Sequence, residues 1–309
     1  MTRLTWTIGA GGLIGSAVVR VADRSFTGRA IPWSDPDAAR DALVESLQDF
    51  ARECQETAAP WAVVWAAGAA TVSASEADAE REAELFRTFA GDLSTSDLSS
   101  DGVVVLVSSA GGIHAGSPSP PFDESTPPAP ISPYGQARLA QEQAAAKLLG
   151  PRWPVVLARV SNVYGPGQDL SKLQGLISRL AVCSLTREPL NLFVPLSTVR
   201  DYIYVDDVAA LIHAWIAQEA GTSAGARVRV LASGQGTSIG QLVRTAQDVG
   251  HRKVPIAMGT HPSAMNQAPD LRFIPSMPDG TQAFAPMTIP IGMKRVFDDL
   301  LRRIENAVA

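Results

Sequence analysis

Arg3-Leu-Thr-Trp-Thr-Ile8, then Gly9-Ala-Gly-Gly12-Leu-Ile-Gly15, then apolar residues at helical spacing through Val21: this opening decides the fold. A β-rich run ends on a glycine, a tight loop follows, and a helix starts inside the glycine pattern. Glycines permit the turn and let backbone N–H groups approach a pyrophosphate, whose charge the helix N-terminus stabilises. The last glycine lets helix and strand pack closely. The spacing differs from G-x-G-x-x-G, but a strand–loop–helix unit at the start of a βαβ series gives it a mechanical meaning. Gly9, Gly12, Leu13, Ile14 and Gly15 are therefore assigned to a dinucleotide.

Outward from that loop, strands alternate with helices. Arg29–Trp33 reads as a short second strand and 35–56 as a helix with Asp and Ser residues available as caps. Trp61–Ala67 and Gly102–Val107 are continuous apolar runs, as strands covered on both faces require. Between them Glu76–Leu93 reads as an amphipathic helix whose acids and arginines form a solvated face. A helix over Tyr134–Leu149 and a buried strand over Val155–Val160 follow, and the proline-rich stretch Ser117–Pro133 is a loop. The pattern predicts an α/β Rossmann fold, a doubly wound parallel sheet. Residues 1–165 form the NAD(P)-binding domain and 166–309 a smaller α/β substrate-binding region, with a segment near 195–235 returning to the first domain.

Composition narrows the function. The chain has 309 residues, 46% hydrophobic and 18% charged, a globular composition long enough for a substantial core. A net charge of -5 with no basic run argues against nucleic acid as a partner. No apolar stretch approaches the ~20 residues that cross a bilayer, and the N-terminus lacks a signal-peptide pattern. Cys54 and Cys183 have no ligand spacing and read as reduced, packed side chains, with no metal site. A cytoplasmic enzyme is the expectation. At the end of the second strand Ser34 and Asp35 are the candidates for the ribose; an acid there favours NAD and a neutral residue tolerates NADP, so both stay open. Ala66, Ala67 and Gly68, ending the Trp61 run, complete the cofactor set.

Four further segments fall into one pattern: Val107-Ser-Ser-Ala-Gly-Gly-Ile113, Tyr134-Gly-Gln-Ala-Arg138, Arg159-Val-Ser-Asn162-Val-Tyr-Gly165, and Arg200-Asp-Tyr-Ile-Tyr-Val-Asp206-Asp-Val. In this order and spacing the chain resembles the extended short-chain dehydrogenase/reductase family, the NAD-dependent epimerase/dehydratase group that modifies nucleotide sugars. The resemblance implies an acid/base tyrosine, Tyr134, and a hydroxyl that orients the reacting oxygen, Ser109 or Ser108. In the family a lysine four residues after the tyrosine holds the nicotinamide ribose and favours a tyrosinate. Here that position is Arg138, which keeps the charge but not the geometry of a compact ammonium. Ala110 occupies the usual hydroxyl position, and His114 replaces a tyrosine that faces substrate; contact with substrate and a structural role both remain open. Gly111 and Gly112 stand where sugar 4,6-dehydratases carry an Asp-Glu pair, so dehydration is disfavoured.

On the substrate side the resemblance implies that Asn162 contacts a nucleotide-sugar diphosphate and that Arg200 grips phosphate, with Arg272 a second grip. Asp206 and Asp207 read as caps of a helix over Val208–Trp215. The leading expectation is a nucleotide-sugar epimerase or ketoreductase using NAD or NADP at a sugar carbon, C4, in a homodimer joined through the Glu76–Leu93 and Tyr134–Leu149 helices. The alternatives are a reductase of a non-nucleotide carbonyl compound and a non-catalytic NAD(P)-binding protein.

Overall fold

The computed structural model describes residues 2–68, 74–170, 175–259, 267–280 and 284–308. At its centre lie the strands β1 (Leu4–Ile8), β2 (Arg24–Phe26), β3 (Trp61–Trp65), β4 (Gly102–Ser109), β5 (Pro154–Val160) and β9 (Gly225–Leu231). They form a six-stranded, wholly parallel sheet in the order β2-β1-β3-β4-β5-β9. Helices α1 (Leu13–Val21) and α7 (Val205–Glu219) cover one face; α2 (Pro36–Thr57), α3 (Glu76–Ser94) and α5 (Pro133–Leu148) cover the other.

This layering explains the continuous apolar runs. Successive strand residues point to opposite faces. Val63, Trp65, Val104 and Leu106 therefore pack with Phe50, Phe86 and Phe89, while Val64, Val105 and Val107 pack with Val18, Val208 and Ile212. Neither face is solvated, so no polar alternation survives. Trp6, Trp61 and Trp153 sit edge-on among aromatic neighbours in the first layer; truncating one of them costs about 3–5 kcal/mol.

Sequence and structure differ at two elements. The second strand is Arg24–Phe26, not Arg29–Trp33. It is a short, largely exposed edge strand whose place is fixed by pairing with Leu4–Trp6, whereas Pro32 in the more apolar stretch supplies no ladder donor. Asp206 and Asp207 lie inside the first turn of α7 and do not cap it. Asp206 pairs with Arg20 at 2.6 Å, and the Asp207 carboxylate accepts from the Met287 amide at 2.7 Å.

The C-terminal lobe gathers α6 (Leu176–Thr186), α8 (Ile239–Gly250) and α9 (Ile289–Val308) around a core of Leu180, Leu242, Met293 and Phe297. Short strands β6 (Asn162–Tyr164) and β8 (Val199–Tyr204) pair with each other in a small sheet apart from the main one, and β7 (Leu190–Leu192) lies in another. α7 packs on α1, and β9 closes the parallel sheet beside β5, so the chain comes back to the main sheet after β8. The two cysteines are free and buried in separate elements, α2 and α6. Among the described residues no helix is long and apolar enough to cross a membrane, and no cluster of metal-ligating side chains occurs.

Candidate active site

β2 and β3 flank β1, so the sheet order reverses there, and loops at the carboxyl ends of such strands part to leave a crevice. Gly9 ends β1 with φ +90, and a Cβ on it would lie 2.6 Å from the Ala67 amide nitrogen at the end of β3. A Cβ on Gly15 would lie 2.1 Å from the Gly9 carbonyl oxygen, which also accepts from the Gly12 amide at 2.9 Å. α1 starts at Gly12 with no side-chain cap, and Gly11 faces open space. The first-turn N–H groups are thus left to a ligand, and helix polarity makes that ligand an anion. This cradle fits a dinucleotide pyrophosphate.

The second-strand residues are arranged differently. Ser34 and Asp35 fall in the turn that opens α2, and the Asp35 carboxylate accepts from the amides of Asp37 and Ala38 at 3.2 and 3.1 Å. Its oxygen is committed as an N-cap. The first charged residue after β2 is Arg29, whose guanidinium pairs with Glu45 at 3.1 Å and Asp49 at 3.5 Å.

Tyr134 and Arg138 lie one turn apart on α5, on one face of the helix. The Arg138 guanidinium is 5.2 Å from the centroid of the Tyr134 ring. It is buried, pairs with Glu82 of α3 at 2.9 Å, and donates to Gln141 Oε1 at 3.0 Å. Burial disfavours its charge, but Tyr134 and Glu82 outweigh that and raise its pKa above the ordinary value. Glu82 is a correction to the sequence reading of α3 as a solvated face. Asp78–Arg81 and Glu84–Arg87 are exposed pairs of that kind, whereas Glu82 turns inward to Arg138.

Ser109 ends β4 and caps the short helix α4 (Ala110–His114), its Oγ accepting from the Gly112 amide at 3.1 Å. Gly112 stands between the two candidate reacting groups: a Cβ there would lie 2.9 Å from Tyr134 Cε1 and 3.3 Å from Ser109 Oγ. The missing side chain leaves hydroxyl and ring facing the same gap. Ser108 is buried with no hydrogen-bond partner for its Oγ, and Ala110 is fully buried. Ser109 is therefore the hydroxyl that the fold sets beside Tyr134.

His114 is fully buried. Its Nε2 lies 3.1 Å from Arg159 Nη1 and its Nδ1 3.3 Å from Ser117 Oγ, with the ring stacked on Phe122. Arg159 in turn grips Glu142 with both arms, Nε at 3.0 Å and Nη2 at 2.7 Å. Burial first, and Arg159 second, lower the His114 pKa to about 4. The ring is thus held in a buried network with Arg159, Ser117 and Phe122.

Asn162 and Arg200 come together on the wall of a cavity of about 230 Å³, where α6, β7 and β8 meet. The Asn162 side chain donates to the Asp201 carbonyl at 2.9 Å. The buried Asp201 carboxylate accepts from Ser161, Ser233 and Gln235, which fixes β8 against the ends of β5 and β9. Arg200 donates to the Val199 carbonyl at 2.8 Å. Burial lowers its pKa, while Tyr202 and Asp270 oppose that shift. Arg179 and Asn191 line the same cavity and were not marked by the sequence. Arg179 has no ion-pair partner among the described residues, and it shares the cavity wall with Arg200. Arg272 is elsewhere: it folds back on Asp270 at 2.8 Å, exposed and off the cavity wall.

Residues 7–230 match the NAD dependent epimerase/dehydratase family, and the chain belongs to that family. It is 34% identical over 121 residues to a dTDP-L-rhamnose 4-epimerase of Burkholderia thailandensis, covering 38% of this chain and 32% of that protein. It is 29% identical over 158 residues to a UDP-glucose 4-epimerase of Mycolicibacterium smegmatis, covering 50% and 46%. The matched segments thus span about a third to a half of these relatives. Among solved structures, MoeE5 in complex with UDP-glucose and NAD superposes with a TM-score of 0.78 at 21% identity, over 98% of this chain and 99% of that one. RMD from Pseudomonas aeruginosa complexed with NADPH gives 0.76 at 21%, over 98% and 100%. These likenesses show that the fold is shared over 98% of the chain.

Proposed function

We propose that this member of the NAD dependent epimerase/dehydratase family binds NAD or NADP and acts on a nucleoside-diphosphate sugar, as an epimerase or ketoreductase at C4. The observation that carries the reading is the pairing of Tyr134 and Arg138 on α5, with Ser109 across the gap at Gly112. That group lies at the same edge of the sheet as the glycine cradle, since Gly9, Gly68, Ser109 and Asn162 all stand at or just past the carboxyl ends of parallel strands. The curated relatives named as 4-epimerases point the same way.

When bound, the dinucleotide would supply the hydride acceptor or donor. Gly9, Gly12 and Gly15 with the α1 N-terminus would hold its pyrophosphate, and Ala66–Gly68 would line its path. Tyr134 Oη takes the proton of the sugar hydroxyl during oxidation and returns it during reduction. Ser109 keeps an O–H donor after capping α4 and orients the reacting oxygen. Arg138 would supply cationic N–H donors to the phenolic oxygen and to the cofactor ribose. Arg200 and Arg179 would grip the diphosphate, a dianion that suits two guanidiniums in a partly desolvated space. Asn162 would orient the same diphosphate. Gly112 has neither an acid nor room for one beside Tyr134, so elimination of water lacks its acid/base pair.

The test begins with the purified protein. It is denatured and the released nucleotide identified by mass spectrometry. The protein is then incubated with UDP- and dTDP-hexoses, with and without added NADH or NADPH. Retained cofactor and an epimeric product identify an epimerase; consumption of added NAD(P)H identifies a ketoreductase. Turnover of a simple carbonyl compound that Arg200→Ala leaves untouched would favour a non-nucleotide substrate. Binding of neither dinucleotide, or full activity in Tyr134→Phe, would overturn the reading. In the same reading the chain forms a homodimer through α3 and α5, which sedimentation velocity checks.

A further inference from the structure

Arg138 is surrounded by groups whose shapes answer to a guanidinium. A Cβ on Gly68 would lie 2.2 Å from Arg138 Nη2 and 2.9 Å from Glu82 Oε1, so any side chain at 68 would displace both partners. Glu82 pairs with Nη2 at 2.9 Å, and Gln141 accepts from Nη1 at 3.0 Å. Gln141 Nε2 donates in turn to the Glu82 carbonyl at 3.4 Å, which ties the second partner to the first. A guanidinium offers five N–H donors in a rigid fork, so these two contacts leave others for Tyr134 and for a ligand. An ammonium is a single point of charge. In this pocket it would be drawn to the inward-facing, half-buried Glu82 carboxylate, the nearest opposite charge at 2.9 Å, and away from the crevice.

We infer that Gly68 and Glu82 form a socket for the guanidinium, making Arg138 a working replacement for the family's lysine and Glu82 its positioning residue. This rests on the reading of Tyr134 and Arg138 as the acid/base pair. It predicts the reverse of what a degenerate site would show: restoring lysine should harm the protein.

The experiment is a pair of double-mutant cycles read by calorimetric titration with NADH and NADPH, with thermal melts as a check on folding. Arg138→Lys should weaken the preferred dinucleotide about tenfold or more, the loss of charge-assisted hydrogen bonds. Adding Glu82→Gln should recover about threefold or more of that loss, because the ammonium is no longer captured. Gly68→Ala should weaken binding about tenfold with Arg138 present, yet less than about twofold in the Arg138→Lys background, where the shorter, unforked head leaves room for the methyl group. Rescue and background dependence separate positioning from simple destabilisation, and the Glu82 cycle stands if Gly68→Ala fails to fold. Arg138→Lys binding as tightly as the native protein, or equal costs of Gly68→Ala in both backgrounds, would overturn the socket. If the native protein binds neither NADH nor NADPH, the acid/base reading falls and the socket with it.

Discussion

Acidification from pH 7 to pH 5 should reveal what His114 does. In the folded protein burial and the neighbouring Arg159 hold its pKa down to about 4, against 6.5 for the free side chain. The group is a base whose folded pKa is depressed. The unfolded chain therefore takes up a proton as the pH drops through 6.5, while the native state refuses it until near 4. Stability from this group is complete above the unfolded value and is lost between the two. Integrating the linkage relation over that interval gives a loss of about 2 kcal/mol between pH 7 and pH 5. The buried Asp201 carboxyl and the half-buried Asp207 carboxyl, both raised by burial, act with the opposite sign. A His114→Gln variant shares those carboxyls, so the difference isolates the histidine; its amide can still accept from Arg159 and donate to Ser117. Urea unfolding of both proteins at pH 7, 6 and 5 should show native stability falling relative to the variant by that amount. Parallel curves would refute the argument. The same variant decides the open role: with the ring fully buried, KM for the sugar nucleotide should change less than about twofold, as for a residue outside the binding contacts, and a larger rise would mark a substrate contact.

The remaining predictions concern the site. Tyr134→Phe should lower turnover by about 10²–10⁴-fold, the usual weight of a positioned acid/base, with NADH affinity within about threefold. Gly15→Ala should abolish measurable dinucleotide binding, because its Cβ would lie 2.1 Å from the Gly9 carbonyl oxygen and force the loop open; retained binding would show that the loop is not the cradle. Arg200→Gln and Arg179→Gln should each weaken UDP about tenfold by calorimetry, with the differences shrinking at high salt, while Arg272→Gln stays near native.

Local pattern made most of the dinucleotide half readable. The strand–glycine–helix opening and the Trp61 and Gly102 apolar runs each report their own burial, and burial on both faces has one common cause, the parallel sheet. What escaped was set by distant partners. β2 exists because Arg24–Phe26 pairs with β1, and nothing in three largely exposed residues announces it. Arg179 and Asn191 sit in unremarkable stretches and come together only where α6 and β7 close on Arg200. Glu82 looks like its exposed neighbours on α3; the arginine it meets, Arg138, lies on a different helix far along the chain.

The helix that carries Tyr134 is held by more than its apolar contacts through Ala144, Ala145 and Leu148. Gly135, Arg138, Gln141, Glu142 and Ala145 are its buried residues, a set that is mainly polar or small. Gly135 approaches so closely that a Cβ would lie 2.2 Å from the Gly112 carbonyl oxygen. Arg138 ties the helix to α3 through Glu82, and Glu142 ties it to β5 through Arg159. Buried ion pairs add little net stability, yet removing one partner costs about 3–5 kcal/mol, because the other is left uncompensated. Their directionality is what apolar packing lacks: sliding or rotating α5 would break both pairs at once. Tyr134, Arg138 and Glu142 recur every four residues on one face, so the two anchors that fix the helix also fix the rotation of Tyr134 towards Ser109 and Gly112. The weak apolar periodicity of this segment is thus the sequence trace of a helix positioned by charge, and the arginine at 138 belongs to that scheme as much as to the proposed chemistry.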